Sequence, residues 1–304
     1  MGKPGGEQLM RILILGGDGM LGHRLLLSLR DCHTVKVTVR RALADYEIYG
    51  IFDRSNTFDQ VDLRDASRVL EVMSEFSPDL VVNAAGIVKQ RDAASEALLS
   101  LEMNSVLPHR IANYCRSVSA YFIHFSTDCV FKGDKGGYCE TDIPDAVDLY
   151  GRTKLLGEVT YEHCITLRTS IIGLELHRKT SLIEWFLRQT GEIKGYKRAI
   201  FTGITTIEAA RLVDFLTSRL GKLSGVYNAA SKPISKYDLL LSLSEKMGRT
   251  DVRIVPDSSF HCDRSLLNDR LAEKTGYSPP CWDVMLEELA LLVKKRQTLN
   301  ANSV

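Results

Sequence analysis

The sequence has no marked charge imbalance, no long apolar run and no paired-cysteine spacing, and each absence removes a class of function. Thirty-nine lysines and arginines nearly cancel 38 aspartates and glutamates, leaving a net charge of +1. With no long basic run either, nucleic acid is not expected as the main partner. No apolar stretch approaches the ~20 residues that span a bilayer, so no membrane partner is expected. The first ten residues lack the apolar stretch of a signal peptide, and Met1 to Gln8 reads as a loose leader or a cloning scar. The seven cysteines are odd in number, scattered, and contain no C-x-x-C and no zinc spacing. Reduced thiols in a cytoplasmic protein fit this better than an oxidised framework, and no metal site is expected. No internal repeat is present. What remains is a cytoplasmic α/β chain whose 304 residues allow one large domain or two moderate ones.

The most informative stretch begins at Arg11. Four consecutive apolar residues, Ile12 to Leu15, run without alternation into a glycine turn. That pattern suits a strand buried on both faces, the central strand of a parallel sheet. Gly16, Gly19 and Gly22 fall three apart, Gly17-Asp18-Gly19 completes the overlapping G-x-G-x-x-G spacing, and Leu25 to Leu27 opens a helix. Glycines there permit a tight turn and close approach to a pyrophosphate, while the free N–H groups of the helix start face the anion. Strand, glycine turn and helix in that order are the context that makes the pattern a dinucleotide site.

Val35 to Val39 reads as a second strand ending in Arg40 and Arg41. The group roughly 20 residues beyond the first glycine selects the cofactor: a carboxylate takes the ribose hydroxyl of NAD, an arginine the 2′-phosphate of NADP. Two guanidiniums therefore predict NADPH, with NADH the alternative if the pair is only a solvated loop. Phe58 to Leu63 reads as a third strand, with Asp62 able to meet the adenine and Asp65 equally suited to capping a helix over 66–76. Asp79 to Gly86 reads as a fourth, buried strand whose small end, Asn83-Ala84-Ala85-Gly86, would let a ligand approach. Val88 and Lys89 follow at that edge, the lysine serving an anionic substrate or simply the surface. A long helix is predicted over 94–117, divided by Pro108 and containing Asn104, which is read as solvated or locally bonded. Tyr121 to Thr127 reads as a fifth strand delivering Ser126, Thr127, Asp128 and Cys129 to the sheet edge, with His124 a core histidine rather than a catalyst. Residues 131–148, rich in Gly, Asp and Pro, read as a loop able to fold over a site.

Tyr150 and Lys154 then lie four apart at the opening of a helix, on one face. A phenol normally holds its proton to pH ~10, and a neighbouring ammonium is expected to bring it nearer neutrality. Tyr150 could then donate a proton to a carbonyl oxygen as hydride reaches its carbon, with Thr127 supplying a second hydrogen bond.

These motifs resemble, in their order, those of the extended short-chain dehydrogenase/reductases. Within that superfamily Phe125 to Gly133, Tyr138 to Pro144 and Leu149 to Glu158 are similar to the dTDP-4-dehydrorhamnose reductases. The resemblance covers most of the first 175 residues and thins afterwards. It implies a catalytic set of Thr127, Tyr150 and Lys154. It also implies a nucleotide-linked 4-keto-6-deoxy sugar as substrate. With the reading above, cofactor contacts are expected from Gly16, Gly19, Met20, Leu21 and Gly22, from Arg40, Arg41, Asp62 and Leu63, and from Asn83, Ala84, Ala85, Gly86, Ser126, Tyr150 and Lys154. Substrate contacts are expected from Val88, Lys89, Asp128, Cys129 and Arg264. Similar dehydratases carry a second acid where Cys129 stands, so elimination is not expected. Epimerase–reductases of the GDP-fucose synthase type carry a cysteine there, and also need a histidine, for which His177 aligns poorly. A non-catalytic, cofactor-binding regulatory subunit is the other alternative, although such proteins commonly erode the Tyr/Lys pair that is intact here.

In the last third, Thr166 to Gly173 reads as a sixth strand, 181–189 and 205–220 as helices, and 225–230 as a further strand. The segment 191–203 reads as glycine-rich and basic, with Lys194, Lys197 and Arg198 facing a diphosphate or only solvent. A helix from Ser235 and a short strand over 252–255 follow. The expected architecture is a doubly wound parallel sheet with a smaller interleaved substrate domain. The cofactor domain would comprise 10–175 plus 203–235 and the substrate domain 176–202 plus 236–304; a homodimer is compatible with the sequence but not required by it.

Overall fold

The computed structural model of the chain describes residues 9–87 and 96–301. In chain order the first elements are β1 (Arg11–Leu15), α1 (Gly22–Leu29), β2 (Thr34–Thr38), β3 (Thr57–Phe58), α2 (Ala66–Phe76) and β4 (Leu80–Asn83). They are followed by α3 (Ala97–Leu101), α4 (Leu107–Ser117), β5 (Tyr121–Phe125), α5 (Leu149–Leu156), β6 (Cys164–Arg168), β7 (Ile171–Ile172) and α6 (Leu182–Leu187). The rest comprises β8 (Gly191–Phe201), β9 (Ile204–Thr205), α7 (Thr206–Thr217), β10 (Gly225–Asn228), β11 (Ile234–Ser235), α8 (Lys236–Met247), β12 (Val252–Asp263), α9 (Asp269–Thr275) and α10 (Trp282–Ala301).

Two compact units result. The first holds residues 1–126, 153–167 and 210–226; the second holds 127–152, 168–209 and 227–304. The main sheet has seven strands in the order β10-β6-β5-β4-β1-β2-β3. The pairs β1–β2, β1–β4, β2–β3, β4–β5 and β5–β6 all run parallel. Strand order reverses between β1 and β4, the switch point at which open α/β sheets leave a crevice. Ile12 to Leu15 are fully buried, which accounts for their lack of alternation. One face of this sheet packs against Val69, Val72, Met73 and Phe76 of α2 and Leu107, Ile111 and Cys115 of α4.

In the second unit β8 is flanked by antiparallel β11 and parallel β12, and β7 pairs with β9. Here the glycine-rich, basic segment, to which the sequence pattern assigns no element, carries an 11-residue strand. Its inward Ile193, Ala199 and Phe201 are buried while the intervening basic residues face outward. Lys194 pairs with Asp257 at 3.1 Å and Lys197 lies over the Tyr237 ring, so a structural role accounts for both. The strand expected over 252–255 is likewise longer, 12 residues with a register shift between Asp257 and His261.

Other departures are local. The third strand is only two residues long, because the chain turns at Gln60, whose φ is +53°. The long helix is interrupted ahead of Pro108, by a π-helical turn over Glu102–Val106. Asn104 sits in that turn, buried rather than solvated, donating from Nδ2 to the Ile87 carbonyl (3.0 Å) and accepting from the Ile87 N–H (2.8 Å). The sixth strand begins at Cys164 and ends at Arg168, with Ile171–Ile172 split off as β7.

The glycine turn is tightly packed on its own backbone. A methyl on Gly22 would lie 2.1 Å from the Gly16 carbonyl oxygen and 2.9 Å from the Gly17 Cα, both backbone atoms. Neither can yield without opening the turn. We expect Gly22→Ala to lower stability by about 3 kcal/mol, the upper end of ordinary overpacking penalties, or to prevent folding. The midpoint of urea unfolding measures this directly, and a wild-type midpoint would show that the turn is looser than its geometry indicates.

Candidate active site

In the first unit the glycine turn lies against the end of β4. Gly16 has φ +84°, a conformation that side chains disfavour, and a methyl there would meet the Ala85 Cβ at 2.9 Å. Its N–H donates to Thr38 Oγ1 (3.2 Å), and the Gly17 N–H donates to the Thr38 carbonyl (2.8 Å). A side chain on Gly19 would meet only the Gly16 and Ala84 carbonyl oxygens within 4 Å, at 3.2 and 3.9 Å. Met20 and Leu21 complete the turn ahead of α1. This cradle, which a Cβ would partly fill, fits a dinucleotide pyrophosphate.

Arg40 and Arg41 follow β2. The Arg41 guanidinium lies over the Tyr46 ring at 5.3 Å, its backbone N–H donates to the Tyr46 hydroxyl (3.3 Å), and that hydroxyl donates to Asp18 in the glycine turn (3.0 Å). A basic group is thereby tied to the turn through one tyrosine. Asp62 is engaged by Arg64 (2.5 Å), whose hydrogen bonds hold its carboxyl below the usual range, and Leu63 is buried beside it. Asp65 caps α2, accepting from the Arg68 N–H. The Ser126 hydroxyl donates to Glu158 (2.7 Å). Val88 and Lys89 lie outside the described residues.

The second unit brings together Thr127, Asp128, Cys129, Tyr150 and Arg264. Thr127 Oγ1 accepts from the Cys129 N–H (3.1 Å), donates to Asp128 (3.2 Å) and hydrogen-bonds the Tyr150 phenol. Gly151 lets α5 come this close, since a methyl there would lie 2.1 Å from the Cys129 carbonyl oxygen. Burial pushes the Asp128 carboxyl up, opposed by Arg264 and Lys236. Burial and Asp128 push the Cys129 thiol up to about 12. Arg264, expected to contact the substrate, donates Nε to the Phe131 carbonyl (2.8 Å) and Nη1 to Cys129 Sγ (3.5 Å). The loop over 131–148 is pinned rather than free: Phe131 stacks on Tyr138 at 4.2 Å, and the Tyr138 N–H donates to the Ser265 carbonyl.

One expectation fails here. The Tyr150 phenol is raised above its ordinary value, not lowered, because burial disfavours the phenolate and Cys129, Asp128 and Asp148 act in the same direction. Lys154, one turn along α5 in the first unit, is buried and pushed down to about 8 by desolvation, with Glu158 opposing. Its Nζ donates to the Phe125 carbonyl (2.6 Å).

Sequence reasoning gave no functional role to Lys236. Burial pushes its ammonium down to about 8 against the pull of Asp128, Cys129 and Cys262, and Nζ lies 3.8 Å over the Phe201 ring. One signal was available: a lysine at the first position of a helix runs against the macrodipole. Among the described residues no group of three His, Cys, Asp or Glu is placed to hold a metal ion, and no helix is long and apolar enough to cross a membrane.

A family profile described as the RmlD substrate binding domain matches residues 10–192. The chain belongs to the RmlD substrate-binding domain family. Its relatives include dTDP-4-dehydrorhamnose reductase of Shigella flexneri, 32% identical over 166 residues covering 53% of this chain and 51% of that protein. Methionine adenosyltransferase 2 subunit beta of Mus musculus is 32% identical over 156 residues, 49% of this chain and 41% of the relative. The matched part of the chain thus spans 41% and 51% of the length of these two relatives. A crystal structure of dTDP-4-dehydrorhamnose reductase from Bacillus anthracis in complex with NADP shares the fold at a TM-score of 0.75 and 20% identity, covering 93% of this chain and 99% of that one.

Proposed function

We propose that this RmlD-family chain is an NADPH-dependent reductase of a nucleotide-activated 4-keto-6-deoxy sugar. The observation that carries the reading is the Thr127–Tyr150 hydroxyl pair at the carboxyl end of β5, with Lys154 one turn further along α5. The glycine turn, Arg40, Arg41, Asp62, Leu63, Asn83 to Gly86, Ser126, Tyr150 and Lys154 would hold the cofactor. When bound, the nicotinamide supplies hydride to the keto carbon. The Tyr150 phenol, which burial keeps protonated, gives its proton to the sugar oxygen, and Thr127 hydrogen-bonds the same oxygen. Lys154 steadies the ribose and replenishes the phenol. Asp128, Cys129 and Arg264, with Val88 and Lys89, would contact the sugar nucleotide, and 176–202 plus 236–304 would form the domain that grips it.

A thiol held up at about 12 stays protonated near neutrality, which counts against Cys129 as the base of an epimerisation. The likeness to methionine adenosyltransferase 2 subunit beta favours a second reading, a cofactor-holding subunit with little turnover of its own. Steady-state assays with NADPH or NADH and dTDP-linked keto sugars separate the two. The reductase reading expects turnover with an NADPH preference of at least about tenfold, and Arg40→Ala/Arg41→Ala should abolish that preference by raising the KM for NADPH. Equal efficiency with both cofactors in the wild-type protein would refute the arginine assignment, and no turnover with any keto sugar would leave the subunit reading.

A further inference from the structure

His124, buried in β5 and unused by the mechanism above, has both ring nitrogens engaged. Nδ1 lies 3.1 Å from Asn83 Nδ2, and Nε2 lies 3.4 Å from Lys154 Nζ. The identity of the atoms at Asn83 follows from its other contact. The Ala85 N–H, a donor, faces Asn83 Oδ1 at 3.1 Å, so the opposite end of the amide is the NH₂ group. That group donates to His124, which makes Nδ1 an acceptor. The imidazole is neutral, since burial and then the Lys154 charge hold its pKa well below the ordinary range. A neutral imidazole with a bare Nδ1 carries its proton on Nε2, and that N–H faces the lysine.

An N–H donor confronting an ammonium is repulsive, whereas the same donor confronting a neutral amine makes a hydrogen bond to its lone pair. We propose that His124, locked in the Nε2–H tautomer by Asn83 and Ala85, is a positioning residue that favours the deprotonated form of Lys154. The other groups around the pair act in both senses. Glu158, which accepts from Ser126, favours the ammonium, while His109 on α4 disfavours a charged His124. Desolvation of Lys154 adds to the effect of the imidazole. In the proposed reaction Lys154 loses one proton to refill the phenolate left by Tyr150 and regains one from water. His124 would hold the amine in between. That consequence rests on the reductase reading; the tautomer and its effect on Lys154 do not.

The test therefore uses the protein without cofactor or substrate. In the ¹⁵N-histidine NMR spectrum the His124 signal, assigned by its loss in His124→Phe, should show a bare Nδ1 and a protonated Nε2 across neutral pH. In ¹³C-lysine titrations, His124→Phe should raise the Lys154 midpoint by about one unit, the ordinary scale of a neighbouring group's influence. A protonated Nδ1, or an unmoved lysine midpoint, would overturn the proposal. Should His124→Phe not fold, His124→Asn supplies the assignment and the wild-type tautomer decides. Absence of keto-sugar turnover alongside both expected signals would remove only the reductase reading.

Discussion

Tyr150→Phe is expected to lower turnover at least ~10²-fold, the usual loss when a general acid is deleted. The substitution removes one oxygen from a buried ring. Thr127 keeps its partners Asp128 and the Cys129 N–H, so the strand-end turn survives. Deleting a single buried hydrogen bond of this kind costs on the order of 1 kcal/mol, too little to unfold a chain of this size. The pH profile gives a second reading of the same site. With its phenol raised by burial, Tyr150 stays protonated through the neutral range and contributes no basic limb there. Lys154, pushed down to about 8, is on the proposed mechanism the group that should set that limb, with activity expected to fall as its ammonium is lost. Unimpaired turnover by Tyr150→Phe would remove the mechanism.

Local patterns made most of the first half of the fold legible. An unalternating apolar run into three spaced glycines specifies a buried strand and a phosphate-binding turn almost without regard to context, and α2 matches its predicted bounds of 66–76 because Asp65 caps it and Ser77-Pro78 ends it. What escaped was set by partners distant in sequence. The strand over 191–201 needs β11 and β12 on either side of it before its glycines and lysines make sense as an amphipathic central strand. Asn104 reads as a solvated or locally bonded helix residue; only the approach of Ile87 and Thr153 explains why a buried amide occurs there. The direction of the Tyr150 shift was missed for a related reason. The spacing to Lys154 shows a nearby charge, but burial, which dominates, is a property of everything packed around the ring.

Lys154→Met should change stability in a strongly pH-dependent way while removing turnover. An ammonium whose folded-state value is about 8 rather than the ordinary 10.5 is disfavoured by folding. The sign follows from proton counting: between those values the unfolded chain binds more protons, so this group's contribution to stability rises with pH. Its penalty is fully present below about pH 8 and disappears by about pH 10.5, and it amounts to about 3 kcal/mol. Methionine abolishes that penalty but leaves the Phe125 carbonyl without the donor it has at 2.6 Å, a loss of about 1–3 kcal/mol at every pH. Near neutrality the two effects roughly offset, and the variant should match or modestly exceed wild-type stability. At about pH 10.5 only the loss remains, and the variant should be clearly the weaker protein. The raised thiols of Cys115, Cys129 and Cys164 and the lowered Lys236 tilt the absolute curves, but they are common to both proteins and cancel in the difference. Urea unfolding of the pair at the two pH values reads the result. A stability difference that does not change with pH would mean that the buried ammonium carries no such strain, and with it would go the reason for supposing that Lys154 parts readily with its proton.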